Sequence, residues 1–460
     1  MKKIFRSTIV LALLLIPCGC EEPEPTEQEI ILEWIWEVMN DIYLWADEVE
    51  PDLYPPDETD PEVFFESILN EKDRFSWIVD DYQELLNSFN NISLSSGISP
   101  AFVRIHNSDQ VVIIVEYVAK GSPAEAAGVQ RGDIITEING QTISVDNYVD
   151  LFYKETLVLG FADYTNTGLV KNDRVVSVTA EVIEENPLIH HQVIEYADRQ
   201  IGYMAYTGFS PGEQDKWLDS INLVFARYLE EGITDIVMDI RYNSGGSMAI
   251  ARHLASVLAP ASVIASNDPF VLYKWNRDYQ EYFRTREGDH SKNLVLKFDE
   301  DPVYNLDLER VYFLTTGHSA SASELLITGL EPHMDVIQIG ENTFGKCYGS
   351  ITIPDIEEPP RHSWAMQPIV FKYANAVGYT DFDEGLEPDV FVEENIVDLK
   401  PFGDISDPML SKAIEMITGT APITQKSAMP AIDYTLLPDP VREKRQTIID
   451  QPVFQDLLPR

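Results

Sequence analysis

The 460-residue chain predicts an α+β multidomain fold in three parts, a helical N-terminal segment, a β-rich middle domain and a C-terminal α/β domain. Three observations predict it. Apolar residues recur at helical spacing from Ile30 to Tyr43, and short strands bounded by turn signals follow from about residue 95 to 185. Beyond Asn186-Pro187, apolar strands alternate with helical stretches, the order that builds a parallel sheet. At 44% apolar residues, the chain can bury substantial cores.

Charge narrows the partners. Asp plus Glu number 77 against 33 for Lys plus Arg, a formal net charge of −44. Such a surface repels phosphates and anionic headgroups, so nucleic acid and a bare membrane are not expected partners. The N-terminus predicts an export leader over residues 1–19, with a basic start (Lys2, Lys3, Arg6) and an apolar run, Ile9 to Ile16, too short to cross a bilayer. Gly19 and Cys20 at its end resemble the processing site of a bacterial lipoprotein, with Pro17 a departure from that pattern. The resemblance implies lipidation at Cys20, a linker over 20–27 and an exported, outer-membrane lipoprotein, periplasmic or surface-facing, touching the membrane only through this anchor. Simple secretion is the alternative. Cys347 is then the only other cysteine besides Cys18, so no internal disulfide is expected and Cys347 reads as a small apolar filler.

The helical segment spans 28–90. Ile31, Trp34, Ile35, Val38, Met39 and Ile42 form one apolar face, and Val63, Phe64, Ile68 and Leu69 a second, shorter helix before Asp73-Arg-Phe-Ser-Trp-Ile78. The middle domain spans 91–185. Strands Phe102 to Ile105 and Val111 to Val115 lead into Gly121-Ser-Pro-Ala-Glu-Ala-Ala-Gly128, with a capping serine, a first-turn proline and a boxed glutamate. A strand ending at Asn139-Gly140 predicts a hairpin turn. In combination, this run resembles a PDZ domain, which binds peptides by adding them as an edge strand. That resemblance implies a carboxylate loop at Gly97 and Ile98, from which Pro100 removes one donor.

The α/β domain spans 186–418. It opens with a hairpin, Gln192 to Tyr196 and Ile201 to Phe209, followed by Gly208-Phe-Ser-Pro-Gly212. That G-x-S-x-G is not a nucleophile elbow, since Pro211 has no N–H for an oxyanion; Ser210 is expected to cap a helix from Gln214 to Glu230. A buried strand, Ile233 to Ile240, then feeds Arg241-Tyr-Asn-Ser-Gly-Gly-Ser247, whose glycines let backbone approach a reacting carbonyl. Residues 265–310 are aromatic and charged without a clear period and read as a cover over a cleft. Trp364 to Tyr373 is a strand, Asp381 to Asp389 a loop, Asp407 to Met416 a helix, and 419–460 an unassigned tail. The eight histidines form no metal-ligand spacing, so neither metal nor other cofactor is expected.

Covalent chemistry concentrates between Val311 and Ser350. Strand Val311 to Leu314 runs through small residues into Ser321, which opens a helical stretch (Leu325, Leu326, Leu330). There the first N–H groups of a helix face whatever sits above the hydroxyl. A serine needs a base, and a lysine desolvated beside it can serve. A return strand, Val336 to Ile339, brings the chain to Gly340-Glu-Asn-Thr-Phe-Gly-Lys346. Alone, Ser321-Ala-Ser-Glu324 is also an S-x-x-E capping box and Lys346 a surface cation.

Together, Ser319-Ala-Ser-Ala-Ser-Glu324, Thr343-Phe-Gly-Lys346, Arg241-Tyr-Asn-Ser-Gly-Gly246 and the PDZ-like run resemble the C-terminal processing, or tail-specific, protease family, PDZ-containing Ser/Lys peptidases with a crotonase-like/ClpP-like catalytic domain. The resemblance implies Ser321 as nucleophile and Lys346 as base, oxyanion donors among Gly245, Gly246 and Ala322, and protein or peptide substrates. Many members carry Gln four residues past the lysine. Here Ser350 stands in that place and is the possible third member. The alternative is a binding protein on the same fold, without catalysis, holding peptides or an apolar ligand; oligomeric state is left open.

Overall fold

The computed structural model describes residues 25–54, 56, 58–106, 108–422, 433–440 and 448–449. The leader, with Cys18 and Cys20, lies outside them. Among the described residues, no helix is long and apolar enough to cross a membrane.

The first helix, Glu27–Asp41, starts at a reciprocal cap: Thr26 Oγ1 accepts from Glu29 N–H (3.2 Å) and the Glu29 carboxylate accepts from Thr26 N–H (2.7 Å). A second, Pro61–Ile68, is capped by Asp60, and a third, Tyr82–Phe89, inside the stretch expected to be helical but not singled out there, by Asp81. Trp34, Ile35, Met39, Tyr43, Phe64 and Phe65 do not form a core of their own. They are continuous with Tyr348, Met366, Ile369 and Phe371 of the α/β domain. The helical segment therefore folds onto the α/β domain as part of its core.

In the PDZ-like domain, one sheet carries Ile98–Ile105, Val111–Val118, Ile134–Ile138, Thr156–Thr165 and Gly168–Thr179 around Phe102, Ile113, Ile135 and Phe161. The Asn139-Gly140 turn has φ of 53° and 74°, the left-handed pair a two-residue hairpin needs. Ser122 Oγ accepts from Glu125 N–H at 3.2 Å, capping the short helix Pro123–Ala126 as expected. An edge strand comes from the far end of the chain: Tyr434–Leu436 pairs antiparallel with Ile98–Ile105.

The α/β domain holds two six-stranded sheets. The first runs Leu188–Tyr196, Arg199–Tyr206, Asp235–Asp239, Arg310–Thr315, Asp335–Gly340, Val390–Phe391, with every pair after the opening hairpin parallel. The second runs Gly246–Ser247, Ile448–Ile449, Tyr348–Ser350, Ile369–Asn375, Pro269–Trp275, Val295–Lys297. Helix Ala322–Leu330 touches both, and all nine of its residues are buried. Helix Pro408–Thr418 covers the other face of the first sheet through Met409, Leu410 and Ile414.

Two expectations are corrected. Residues 265–310 are not a cover: Pro269–Trp275 is an internal strand whose Tyr273 and Trp275 rings pack on Phe371, and Asn276 Nδ2 donates to the carbonyls of Asp41 (2.8 Å) and Tyr43 (3.1 Å). One side of this strand is buried, at Val271, Tyr273 and Trp275, while Leu272 is half-buried and Lys274 exposed, an alternation too short to stand out among the aromatic residues around it. Ser210 caps no helix. Its hydroxyl donates to Phe89 C=O (2.9 Å) and accepts from Gly212 N–H (3.2 Å), and the helix begins at Lys216.

Candidate active site

Ser321 stands between strand Arg310–Thr315 and helix Ala322–Leu330 with φ 62° and ψ −110°, a conformation that L residues adopt only under constraint. The constraint is visible. Thr316 Oγ1 donates to Arg241 C=O (2.5 Å), Ser319 Oγ to Ile240 C=O (2.8 Å), and Ser323 Oγ and Ala320 N–H both to Asn243 C=O (3.0 Å each). The two outer serines of Ser319-Ala-Ser-Ala-Ser are thus fasteners onto the segment Ile240 to Asn243 that follows strand Asp235–Asp239. The middle one is not. Ser321 Oγ is fully buried and makes no hydrogen bond, so its hydroxyl does not serve as the helix cap that the S-x-x-E spacing also allows.

The return half of that box, from Glu324, joins two segments. Glu324 Oε2 accepts from Ser321 N–H (2.7 Å) and from Lys346 N–H (2.9 Å), while Oε1 accepts from Gly345 N–H (2.7 Å) and Thr343 Oγ1 (2.6 Å). Burial pushes the Glu324 carboxyl up, against four donors that pull it down. On the opposite side, Tyr373 Oη lies 3.2 Å from Ser321 C=O and 3.0 Å from Lys346 C=O. One carboxylate and one phenol therefore hold the backbones of Ser321 and Lys346 side by side.

Lys346 is 1% exposed, and desolvation brings its amine down to about 7, against the opposing pull of Asp73 and Glu324. Its Nζ lies 4.8 Å from the centre of the Phe75 ring. Asp73 and Phe75 belong to the N-terminal segment, which is fastened here by Arg74 to Gly345 C=O (3.3 Å) and by Ile369 N–H to Ser76 Oγ (2.8 Å). The loop Asp381 to Asp389 supports the lysine from below: Gly345, at φ 91°, approaches Asp383 so closely that a Cβ would lie 2.3 Å from its carbonyl oxygen. Next to it, burial pushes the Cys347 thiol up to about 11, consistent with a filler and not a thiolate.

The Gly-Gly turn abuts the serine. A Cβ on Gly245 (φ 108°) would stand 2.7 Å from Ser321 Cβ and 3.1 Å from Ala322 N, and one on Gly246 (φ 134°) 2.5 Å from Phe209 C=O. Gly245→Ala is accordingly expected to destabilise the fold by at least about 1 kcal/mol from backbone strain alone and to lower any turnover at Ser321 more than tenfold; denaturation and a rate assay on one preparation check both. The Gly245 N–H is already given to Asn243 Oδ1 (2.9 Å). Ala322, as first residue of its helix, has no intrahelical acceptor for its N–H.

Beneath this turn, Arg241 is buried among Asp239 (2.6 Å), Glu394 (2.7 Å) and Asp407 (3.0 Å). Arg131, from the PDZ-like Val-Gln-Arg-Gly run, donates to Tyr242 Oη (2.8 Å) and Lys400 C=O (2.8 Å), with its guanidinium 4.2 Å from the Phe402 ring. The PDZ-like domain is thereby tied to the residue beside Asn243. A cavity of about 1150 Å³ is lined by residues of both domains, among them Gly97 and Ile98 of the PDZ-like domain and Gly245 and Gly246 of the α/β domain. The Gly97 and Ile98 N–H groups donate to Ser95 Oγ (2.9 Å) and Ser96 Oγ (3.4 Å).

Ser350 is buried, and Gln367 Nε2 donates to its Oγ at 3.2 Å. Gln367 Oε1 is buried without a hydrogen-bond partner. An amide thus reaches this corner from another strand, where no spacing in sequence could announce it. Glu324, Tyr373, Asp73, Phe75 and Arg131 were missed as site-building residues for the same reason, except that Glu324 was visible as the box partner of Ser321.

The comparisons agree with this architecture. Residues 31–77 match the peptidase S41 N-terminal domain, 114–159 a PDZ domain and 200–392 peptidase family S41. The carboxyl-terminal-processing protease of Picosynechococcus sp. is 25% identical over 344 residues, 73% of this chain and 74% of its own length. A CtpA-like serine protease of Staphylococcus aureus (strain COL) is 26% identical over 324 residues, 68% of this chain but 57% of its own length. The chain thus spans little more than half of the staphylococcal relative. Among solved structures, an S41 protease chain from Bacteroides fragilis superposes with a TM-score of 0.70 at 25% identity, covering 84% of this chain and 97% of that one. Two models of one family, its N-terminal domain and its peptidase domain, together span more than half of the residues, and the chain belongs to peptidase family S41, the family of the carboxyl-terminal-processing serine proteases.

Proposed function

We propose that the chain is a serine endopeptidase that uses Ser321 as nucleophile and Lys346 as general base on extended segments of protein substrates, with the PDZ-like groove binding a substrate strand. The observation that carries this is the pair of pins: Glu324 and Tyr373 hold beside each other a serine whose hydroxyl is uncommitted and a lysine whose amine is half neutral near pH 7. The neutral amine takes the Ser321 Oγ proton as oxygen attacks the scissile carbonyl, and the ammonium returns it to the leaving amine. Water then enters, gives a proton to the amine and bonds through its oxygen to the acyl carbon; the acyl–Oγ bond breaks and the ammonium returns the proton to Ser321 Oγ. Ala322 N–H and Gly246 N–H are the donors assigned to the oxyanion, since the Gly245 N–H is spent on Asn243. Gln367, through Ser350, takes the role of the family's glutamine.

Casein cleavage followed against pH tests this. The rate is expected to rise about tenfold per pH unit below an apparent pKa of about 7 and to level above it, because only the neutral amine accepts a proton. A rate without that limb contradicts Lys346 as base, and no cleavage at any pH, by this chain or by the Leu437 variants described below, returns the chain to a binding role. The carboxyl-terminal processing named for the relatives would bias cleavage toward substrate C-termini. We further propose export and lipidation at Cys20, readable as a mass increase lost in Cys20→Ala.

A further inference from the structure

The chain's own C-terminal tail fills both places a substrate strand would take. Tyr434, Thr435 and Leu436 pair antiparallel with Ile105, Arg104 and Val103, on the edge of the strand that follows the Gly97/Ile98 loop. Leu437 N–H donates to Phe102 C=O (2.8 Å), His106 N–H to Asp433 C=O (3.0 Å), and the Leu437 side chain packs on the domain's core. The other wall is the helix Tyr148–Phe152 and the residue after it. Tyr148 Oη donates to Pro438 C=O (3.1 Å), and Tyr153 Oη to Asp439 Oδ1 (2.6 Å). Asp439, buried, brings a carboxylate into the cavity that Gly97, Ile98 and Tyr153 also line. An added antiparallel strand with an anion at the loop end is how a PDZ groove holds a peptide.

Further along, Ile448 and Ile449 pair in parallel with Gly246 and Ser247, and Ile449 with Ser350 on the opposite side. These are the Gly-Gly turn beside Ser321 and the strand that follows Lys346. A backbone seated between them closes the second sheet across the catalytic pair. The area is one that a substrate must enter as a strand, and it has a strand in it.

We propose that two stretches of the tail, residues 433–440 and 448–449, are intramolecular ligands that keep the peptide groove and the cleft closed to other chains, and that their release is the step admitting substrate. Tethering gives the tail an effective concentration of about millimolar, enough to exclude free peptides that bind in the micromolar range. The cleft half rests on the peptidase reading above; the groove half does not.

The test uses the full chain and a fluorescein-labelled peptide of the sequence Asp433 to Pro440 as probe. Leu437→Pro removes the N–H given to Phe102, and Leu437→Asp, with the backbone intact, puts a charge against the apolar groove. By fluorescence polarisation, both variants are expected to bind the probe at least tenfold more tightly than the unaltered chain, and to cleave casein at least tenfold faster. Equal probe binding by all three proteins overturns the proposal, as does an intact mass showing the unaltered protein without its tail. Tighter probe binding with no cleavage by any of them supports the docked tail and overturns the peptidase reading instead.

Discussion

Replacing Lys346 by Met is expected to abolish casein cleavage and at the same time raise the melting temperature. The loss, on the order of 10³-fold or more, follows from removing the group proposed to take the Ser321 proton. The gain follows from linkage. The amine has its ordinary value of 10.5 in the unfolded chain and about 7 in the folded one, so between those values the unfolded state holds the extra proton and stability rises with pH. Below pH 7, folding must bury an ammonium with the full cost in place. At about 1.4 kcal/mol per unit, that cost is on the order of a few kcal/mol. A thioether of similar length removes it, so the stabilisation should be largest in mild acid and fade toward alkaline pH. Ser321→Ala should lose as much cleavage without this pH signature. Calorimetry of the three proteins across pH checks both effects, and a Lys346→Met protein less stable than its parent in mild acid would contradict the burial argument.

Glu324→Ala is expected to cost more stability than any other single change near the site, roughly 3–5 kcal/mol, because it strands four buried donors: the N–H groups of Ser321, Gly345 and Lys346 and the Thr343 hydroxyl. Activity should fall at least a hundredfold even in the folded fraction, since the proposed nucleophile and base lose the oxygen their backbones share. Glu324→Gln sharpens the prediction. Its single carbonyl oxygen can satisfy one pair of donors, either Ser321 with Lys346 or Gly345 with Thr343, and its NH₂ must then face the other pair. The variant should therefore fold better than Glu324→Ala yet remain strongly impaired. Denaturant unfolding alongside casein turnover checks this, and a near-normal rate for Glu324→Gln would show that the shared oxygen does not set the alignment.

Those two residues also show what the sequence could and could not announce. Local rules carried the reading where the physics is local: the Thr26/Glu29 cap, the Ser122-Pro123 start, the Asn139-Gly140 hairpin and the strand, turn and helix around Ser321. Position within a motif could not say which serine of Ser319-Ala-Ser-Ala-Ser stays uncommitted, because Ser319 and Ser323 are occupied by the carbonyls of Ile240 and Asn243. The site's supports were hidden for the same reason. Asp73 and Phe75 come from the helical segment, Tyr373 and Gln367 from the second sheet, and Arg131 from the PDZ-like domain. None shares a spacing with Lys346. The tail at 433–440 was unreadable in a different way, since a short strand added to another domain's edge has no period of its own to detect.

The central claim is that Lys346 activates Ser321, and the most direct measurement of it is labelling by a fluorophosphonate, which reacts only with an activated hydroxyl. On the full chain carrying Leu437→Pro, mass spectrometry is expected to find one adduct, on the peptide containing Ser321, forming at a rate that rises through pH 7 and collapses in the additional presence of Lys346→Met. An adduct on any other residue, or Ser321 labelled equally fast without the lysine, would contradict the account.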